Sequence, residues 1–452
     1  MTVLRGFGEE IAFARAANGM AVFVMAKPGY RKKFAQVTVA YGSNDVVFSL
    51  PDSEFSGNCV GPLRRFETPP GIAHFLEHKM FDRPGGSAFD DFSALGASAN
   101  AFTSNDFTSY TFWTVDEFRK CLELLLDLVW NPHFSEESVR KEQGIIEQEI
   151  VMYEDEPYSR LTRALLESLY HVHPVRIDVT GTKESIRQIT PELLYVCHAA
   201  FYRPFNMALF VAGDFEAEDE ALRLAEILDS AAPSKGARPV RERPEEPPEP
   251  RQLSATVKMH VPRPFINIGW KDQPGGHDGK KLLRREIATD LLLNILFGKS
   301  SPVFARLYEE GLADDLGVSY EAWPDYSFAT ITAETVEPQK LLDEVLREVD
   351  TARKRGIAAS DFERAKDAAW GHYITLFDDL DLIAESQCQL YFIGEDVFSY
   401  GETLKSITLQ EVEERLSVLD PRFLAHVFLI PDTHGLNSYA SSYKKEEQTR
   451  RC

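Results

Sequence analysis

Gly96-Ala97-Ser98-Ala99-Asn100-Ala101-Phe102 leads into the strand-like run Ser109 to Val115, and Gly317-Val318-Ser319-Tyr320-Glu321-Ala322-Trp323 leads in the same way into Phe328 to Val336. Each run is followed by an amphipathic helical pattern. A second echo lies downstream of both. Ile189-Thr190-Pro191-Glu192 opens a helical stretch that reaches Tyr202-Arg203-Pro204 and the strand Met207 to Ala212. Ile407-Thr408-Leu409-Gln410 opens another that reaches Asp420-Pro421-Arg422 and the strand Ala425 to Ile430. Two echoes in one order and at a similar offset predict a duplicated domain. Between the copies lies Ala231 to Ser254, rich in Pro and charge and nearly free of apolar residues, which reads as an extended linker. The expected organisation is a domain over 1–230, a linker over 231–254, a homologous domain over 255–440 and a disordered mixed-charge tail over 441–452. Strands are followed by helices rather than strictly interleaved with them, which predicts an α+β layer architecture.

Composition narrows the partners. The chain has 452 residues, more than one ordinary core holds, with 44% hydrophobic and 11% aromatic residues for packed interiors. A formal charge of -22 disfavours nucleic-acid backbones and anionic lipid surfaces and suits a neutral or cationic peptide. The five cysteines (Cys59, Cys121, Cys197, Cys388 and Cys452) are scattered, with no C-x-x-C pair, so neither a disulfide framework nor a thiolate metal site is expected. The early apolar patch Ala21 to Ala26 reads as a strand, and Glu123 and Asp127 interrupt the run Leu122 to Trp130. No stretch approaches the roughly 20 apolar residues of a membrane span. A cytoplasmic protein is expected.

The chemistry concentrates in His74-Phe75-Leu76-Glu77-His78, which follows the helix-start signal Pro69-Pro70-Gly71. Two imidazoles four positions apart come round to one helix face, with a carboxylate beside them. This is the H-x-x-E-H arrangement of zinc hydrolases, although the same residues also occur as ordinary helix positions. A third ligand would have to come from another helix, and Glu136 to Glu156 is rich in carboxylates. Glu142, Ile145, Ile146, Glu149, Met152 and Tyr153 share one stripe by spacing, while Glu147 lies about 200° from Glu149. Carboxylates set in an apolar stripe need a partner. Glu149 is therefore expected as the third ligand, Glu142 as a supporting residue one face-repeat earlier, and Glu147 as solvated. Three protein ligands leave a fourth position open, the catalytic pattern, with Glu77 as general base. His171 and His173, beside Pro174, read as structural.

The His74–His78 motif, the Gly96 to Thr103 segment and the Glu142/Glu149 pair together resemble the pitrilysin/insulinase family, which includes the mitochondrial processing peptidase. Gly71 to Phe81 and His173-Pro174-Val175-Arg176-Ile177-Asp178 are most similar to the bacterial YmfH-like subgroup. The resemblance implies two homologous α+β domains in a clam-like arrangement and Zn2+ held by His74, His78 and Glu149. It also implies that Glu77 is the base and that Glu142 supports the site. It further implies that Asn100, Ala101, Phe102 and Thr103 form an edge strand binding a peptide substrate by β-addition, against the plain alternative of a strand entry. The implied activity is zinc-dependent endopeptidase cleavage of short or unfolded peptides; the alternative is a non-catalytic structural or peptide-binding subunit. One departure matters. Relatives carry an Arg and a Tyr seven residues apart in the second half, where this chain has Tyr308 and Asp315 within Leu307 to Asp315. Ile287 to Leu291 likewise carries no second metal motif. The resemblance therefore implies a dimer: a heterodimer in which a related subunit supplies the missing pair, or else a homodimer.

Overall fold

A computed structural model describes residues 1–6, 8–51, 63–231 and 236–432, so Cys59, Cys452 and the tail over 441–452 lie outside the described residues. The first half begins with β1 (Thr2–Gly6), β2 (Glu9–Arg15), β3 (Ala21–Ala26), β4 (Lys33–Val39), β5 (Val47–Pro51) and β6 (Leu63–Glu67). There follow α1 (Ile72–Met80), β7 (Asp82–Arg83), β8 (Gly86–Ser87), α2 (Ala88–Ala94), β9 (Ser98–Thr103) and β10 (Thr108–Thr114). It ends with α3 (Phe118–Trp130), α4 (Glu136–Glu154), α5 (Pro157–Leu169), α6 (Lys183–Ile186), α7 (Pro191–Phe201), β11 (Met207–Gly213) and α8 (Ala217–Ala231). After β12 (Val240–Arg241), the second half runs β13 (Ser254–Met259), β14 (Phe265–Asp272), α9 (Gly279–Phe297), α10 (Pro302–Glu309), β15 (Gly317–Ala322) and β16 (Ser327–Glu334). It closes with α11 (Pro338–Arg355), α12 (Ala359–Thr375), α13 (Leu380–Phe392), α14 (Val397–Ser406), α15 (Leu409–Glu414) and β17 (Leu424–Pro431).

The duplication is visible in the sheets. One has the order β1-β2-β3-β11-β4-β10-β9 and the other β13-β17-β14-β16-β15. Five strands correspond one to one. In both, the first of these pairs is parallel (β3 with β11, β13 with β17) and the rest are antiparallel. The two related domains differ at one edge, where β1 and β2 extend only the first sheet.

Alternation along the strands divides each sheet between two cores. In β11, Leu209 and Val211 join the helices of the first half, while Ala208, Phe210 and Ala212 face the other way. That second face is covered by residues of the opposite half: Phe377, Leu380, Ile383, Ala384 and Cys388, from α13 and the turn before it. The reciprocal packing holds on the second sheet, where Leu161, Leu165 and Leu169 of α5 cover Phe265, Ala425, Val427 and Leu429. Leu165 lies so close to Gly269 that a Cβ there would sit 2.8 Å from its Cδ2. Each half thus lends a helix to the other.

The Pro- and charge-rich stretch is held at several described points between Val240 and Glu246. β12 pairs with β5. Arg241 and Arg243 both reach the buried Asp45, at 2.8 and 2.9 Å, and Arg243 also pairs with Asp325. Glu246 accepts hydrogen bonds from the backbone N–H groups of His171, Val172 and His173 and pairs with Lys271. Cys121, Cys197 and Cys388 are free and buried. Among the described residues, no helix is long and apolar enough to cross a membrane.

Candidate metal centre

The motif helix α1 is buried on nearly every side, including His74 and Glu77. Its start is fixed by close backbone contact. Gly71 has φ +90°, and a Cβ there would lie 2.5 Å from the Thr180 carbonyl oxygen; a Cβ on Gly181 would lie equally close, 2.5 Å, to the Pro70 oxygen. Ser185 Oγ donates to the Pro70 carbonyl at 2.7 Å. Gly71→Ala should therefore lower unfolding free energy by about 1–3 kcal/mol, from left-handed strain and the backbone clash together. A urea midpoint measurement checks this.

The second contributor is α4, started by a Ser135–Ser138 capping box. Its buried line is Val139, Ile146 and Ile150. This corrects the stripe expected from spacing: Ile145 and Met152 are 44% and 58% exposed. At 100° per residue, Glu142 and Glu149 lie about 60–80° round from the buried line, turned toward α1, and Ile145 and Met152 lie about 120–140° round, in solvent. Glu147 sits on the other flank, where it pairs with Arg187 at 2.6 Å instead of being simply solvated.

His74, His78 and Glu149 come together as expected, with one ligand atom from each lying within 4.8 Å of the others. His74 Nε2 is 3.6 Å from Glu149 Oε1, and His78 Nε2 is 3.6 Å from Glu149 Oε2. These separations are too long for hydrogen bonds. They are close to the roughly 3.4 Å between ligands of a tetrahedral ion with bonds of about 2.0–2.2 Å. Two imidazoles and one carboxylate form a donor set that suits zinc, so the residues present fit the metal.

Behind them, Glu142 Oε1 is 3.0 Å from His78 Nδ1, which directs His78 Nε2 into the site. Glu142 is held in turn by Lys79, whose fully buried ammonium lies 3.7 Å from Glu142 Oε2 and pairs with Asp82. The sequence reading missed Lys79; a lysine at position 79 of an otherwise buried helix was its only signal. Replacing Glu142 with Ala should weaken zinc binding about 10–100-fold, read by chelator competition.

The protein's own groups set the protonation states. Burial, helped by the neighbouring His78, lowers the His74 midpoint to about 3, so its ring is neutral and its lone pair available. For His78, burial opposes protonation, but Glu142, Glu77 and Glu149 outweigh it and the midpoint rises. Burial would raise Glu142, yet His78 and Lys79 bring it below its ordinary value. Glu149 is raised by burial, which His78 only partly offsets. Glu77 is pushed up to about 7 by burial, against the opposing pull of Thr103. Thr103 Oγ1 donates to Glu77 Oε2 at 2.7 Å.

Thr103 ends β9, the outermost strand of its sheet, whose outer edge has no strand neighbour among the described residues. Along it Asn100 is exposed, and Ala101, Phe102 and Thr103 are half-buried. His173 Nδ1 accepts from the Val175 N–H at 3.1 Å, and His171 Nε2 lies 3.2 Å from the Glu249 carbonyl. In the second half Tyr308 is 58% exposed. Arg306 is engaged by Glu344 at 2.8 Å and Glu310 at 3.6 Å.

A family model described as Insulinase (Peptidase family M16) matches residues 60–183, and one described as Peptidase M16 inactive domain matches residues 188–369. The chain is 37% identical over 413 residues to a Bacillus subtilis protein named uncharacterized zinc protease YmfH, covering 90% of this chain and 92% of that one. Among solved structures, a putative M16-like peptidase from Alicyclobacillus acidocaldarius is similar at TM-score 0.87 and 33% identity, over 95% of this chain and 100% of that one. A Helicobacter pylori protease shares the fold at TM-score 0.78 and 19% identity, over 94% of this chain and 100% of that one.

Proposed function

Because this chain belongs to the insulinase family of M16 peptidases, we propose that it is a zinc-dependent endopeptidase that cuts short or unfolded peptides. The observation that carries the reading is the cluster of His74, His78 and Glu149 within 4.8 Å, with Glu77 on the same helix as both histidines. In this reading the three residues hold the metal. A zinc ion held there would supply an acidified water and the positive charge to polarise a scissile carbonyl. Glu77 takes the proton of the attacking water and passes it to the leaving amine. Its Oε2 is occupied by Thr103, which leaves Oε1 for that exchange. Asn100 to Thr103 hold the peptide backbone along the free edge of β9, a mode that favours extended substrates and reads little sequence. A reducing, cytoplasmic setting is supported by the three free, buried cysteines.

The reading includes a dimer. Tyr308 and Asp315 stand where the family resemblance implies an Arg and a Tyr, and Arg306 is paired within its own half. A related subunit would supply the missing pair. Co-purification followed by zinc assay and digestion of an unstructured peptide library tests both parts. About one zinc per chain and cleavage that a chelator stops and zinc restores are expected, with a higher rate in the presence of the co-purified subunit. Absence of zinc affinity and of chelator-sensitive cleavage, with and without that subunit, would overturn the peptidase. A rate indifferent to the subunit would overturn the heterodimer alone.

A further inference from the structure

We propose that Thr103 is a positioning residue: its hydroxyl aims the Glu77 carboxyl from the strand that receives the peptide, so that backbone pairing and placement of the base share one element. The proposal rests on the peptidase reading and deepens it.

Side chains alternate along β9. Ala99 and Ala101 pack against the core that contains Ile72, Ala73 and Phe75 of α1. Thr103 continues that face, and its Oγ1 meets Glu77 Oε2 at 2.7 Å. This is the one hydrogen bond the described residues give the Glu77 side chain. A carboxyl at the end of a three-bond side chain rotates broadly about its last torsion. A single short donor on one oxygen removes that freedom and turns the other oxygen to a defined direction. Placement matters because an error of about 1 Å at a reacting group can cost roughly 100-fold in rate.

The donor's own position depends on β9 and on Thr108 of β10, whose Oγ1 donates to Thr103 Oγ1 at 3.3 Å. Among the described residues, β9 is tied to its sheet on one side only, by β10 from Ser98↔Trp113 to Thr103↔Thr108. An edge strand with one neighbour is held by half the hydrogen bonds of an interior strand. A peptide added along its outer edge supplies the other half and fixes Thr103 when a substrate is present. The family reading assigns Thr103 only to gripping the peptide backbone, which any residue's N–H and C=O can do. The hydroxyl is what backbone gripping leaves unexplained.

Two substitutions separate the roles, made in the full chain together with its co-purified subunit. Thr103→Val keeps the β-branched shape and removes the donor; Thr103→Ser keeps the donor and removes the methyl. The Val variant should retain about one zinc per chain and lose kcat about 10–100-fold, with KM within about threefold of wild type. The Ser variant should stay within about threefold of wild-type kcat. A readout without turnover accompanies these: in a Glu77→Gln background, adding Thr103→Val should leave the affinity for a fluorescently labelled unstructured peptide unchanged. A Val variant as fast as wild type, Val and Ser variants equally slow, or a loss confined to KM and peptide affinity would each overturn the positioning role while the peptidase stands. A wild-type preparation that never cleaves overturns the peptidase reading and this one with it.

Discussion

Glu77→Gln should keep about one zinc per chain and lower kcat by about 10²–10⁴-fold, the range over which a positioned base contributes. Glutamine has the shape of glutamate and can still accept the Thr103 hydroxyl bond through its single amide oxygen, so the site's architecture is retained. It cannot take a proton. Parallel zinc assays and steady-state kinetics check the result, and retained cleavage would mean that another residue is the base. The same variant carries a stability signature in metal-free protein. Burial raises the Glu77 midpoint to about 7 from an ordinary 4.5, so the neutral acid is the form the fold favours. Its contribution is present below the unfolded value and is lost as pH rises through about 7. With chelator present, Glu77→Gln should therefore melt higher than wild type at pH 8, and the difference should shrink toward pH 5.

Glu149→Ala should remove zinc almost entirely, and activity with it. Glu149 is the group that faces both imidazoles, one oxygen toward each at 3.6 Å. Without it only two ligands remain, both from one helix, and a zinc site needs three or four from the protein. Loss of metal should not be accompanied by loss of fold. The Glu149 carboxyl is raised by burial, so removing it relieves a cost in the metal-free chain. Glu147→Ala is the matched control on the same helix, since its Arg187 partner is 59% exposed and such surface pairs contribute little. It should leave zinc content and rate unchanged. Metal analysis and melting of the chelated proteins distinguish the two variants.

Much of this molecule is legible because it is periodic. The alternating runs at 207–212 and 425–430 fall within β11 and β17, and the paired echoes correspond to equivalent strands of the two sheets. His74, Glu77 and His78 are readable because one helical turn relates them, with no tertiary information needed. Spacing placed Glu149 in an apolar stripe, but Ile145 and Met152 of that stripe face water, and its true position is on the flank of the Val139–Ile146–Ile150 line. Two residues on one helix flank look alike in sequence whether they face a core or a solvent-open site. Lys79 and the hydroxyl of Thr103 could not be read for a different reason. Their partners, Glu142 and Glu77, lie on other elements, and no local pattern encodes that meeting. The same limit hid α5 and α13. Leu161, Leu165 and Leu169 announce an amphipathic helix, but nothing in their spacing says whose sheet it closes.

That exchange of helices bears on how such a chain could have arisen and how it can be divided. An ancestor the length of one copy, with its fifth helix extended away from its own sheet, would have been whole only as an intertwined pair. Joining two such genes end to end would have turned an association between molecules into a covalent one. The legacy is a molecule that resists dissection at the obvious Pro-rich seam. A piece ending at residue 230 would bare Phe23, Phe34 and Phe210 to water, and the remaining piece would arrive without the lid for Val427 and Leu429. The two pieces should become soluble only when made together.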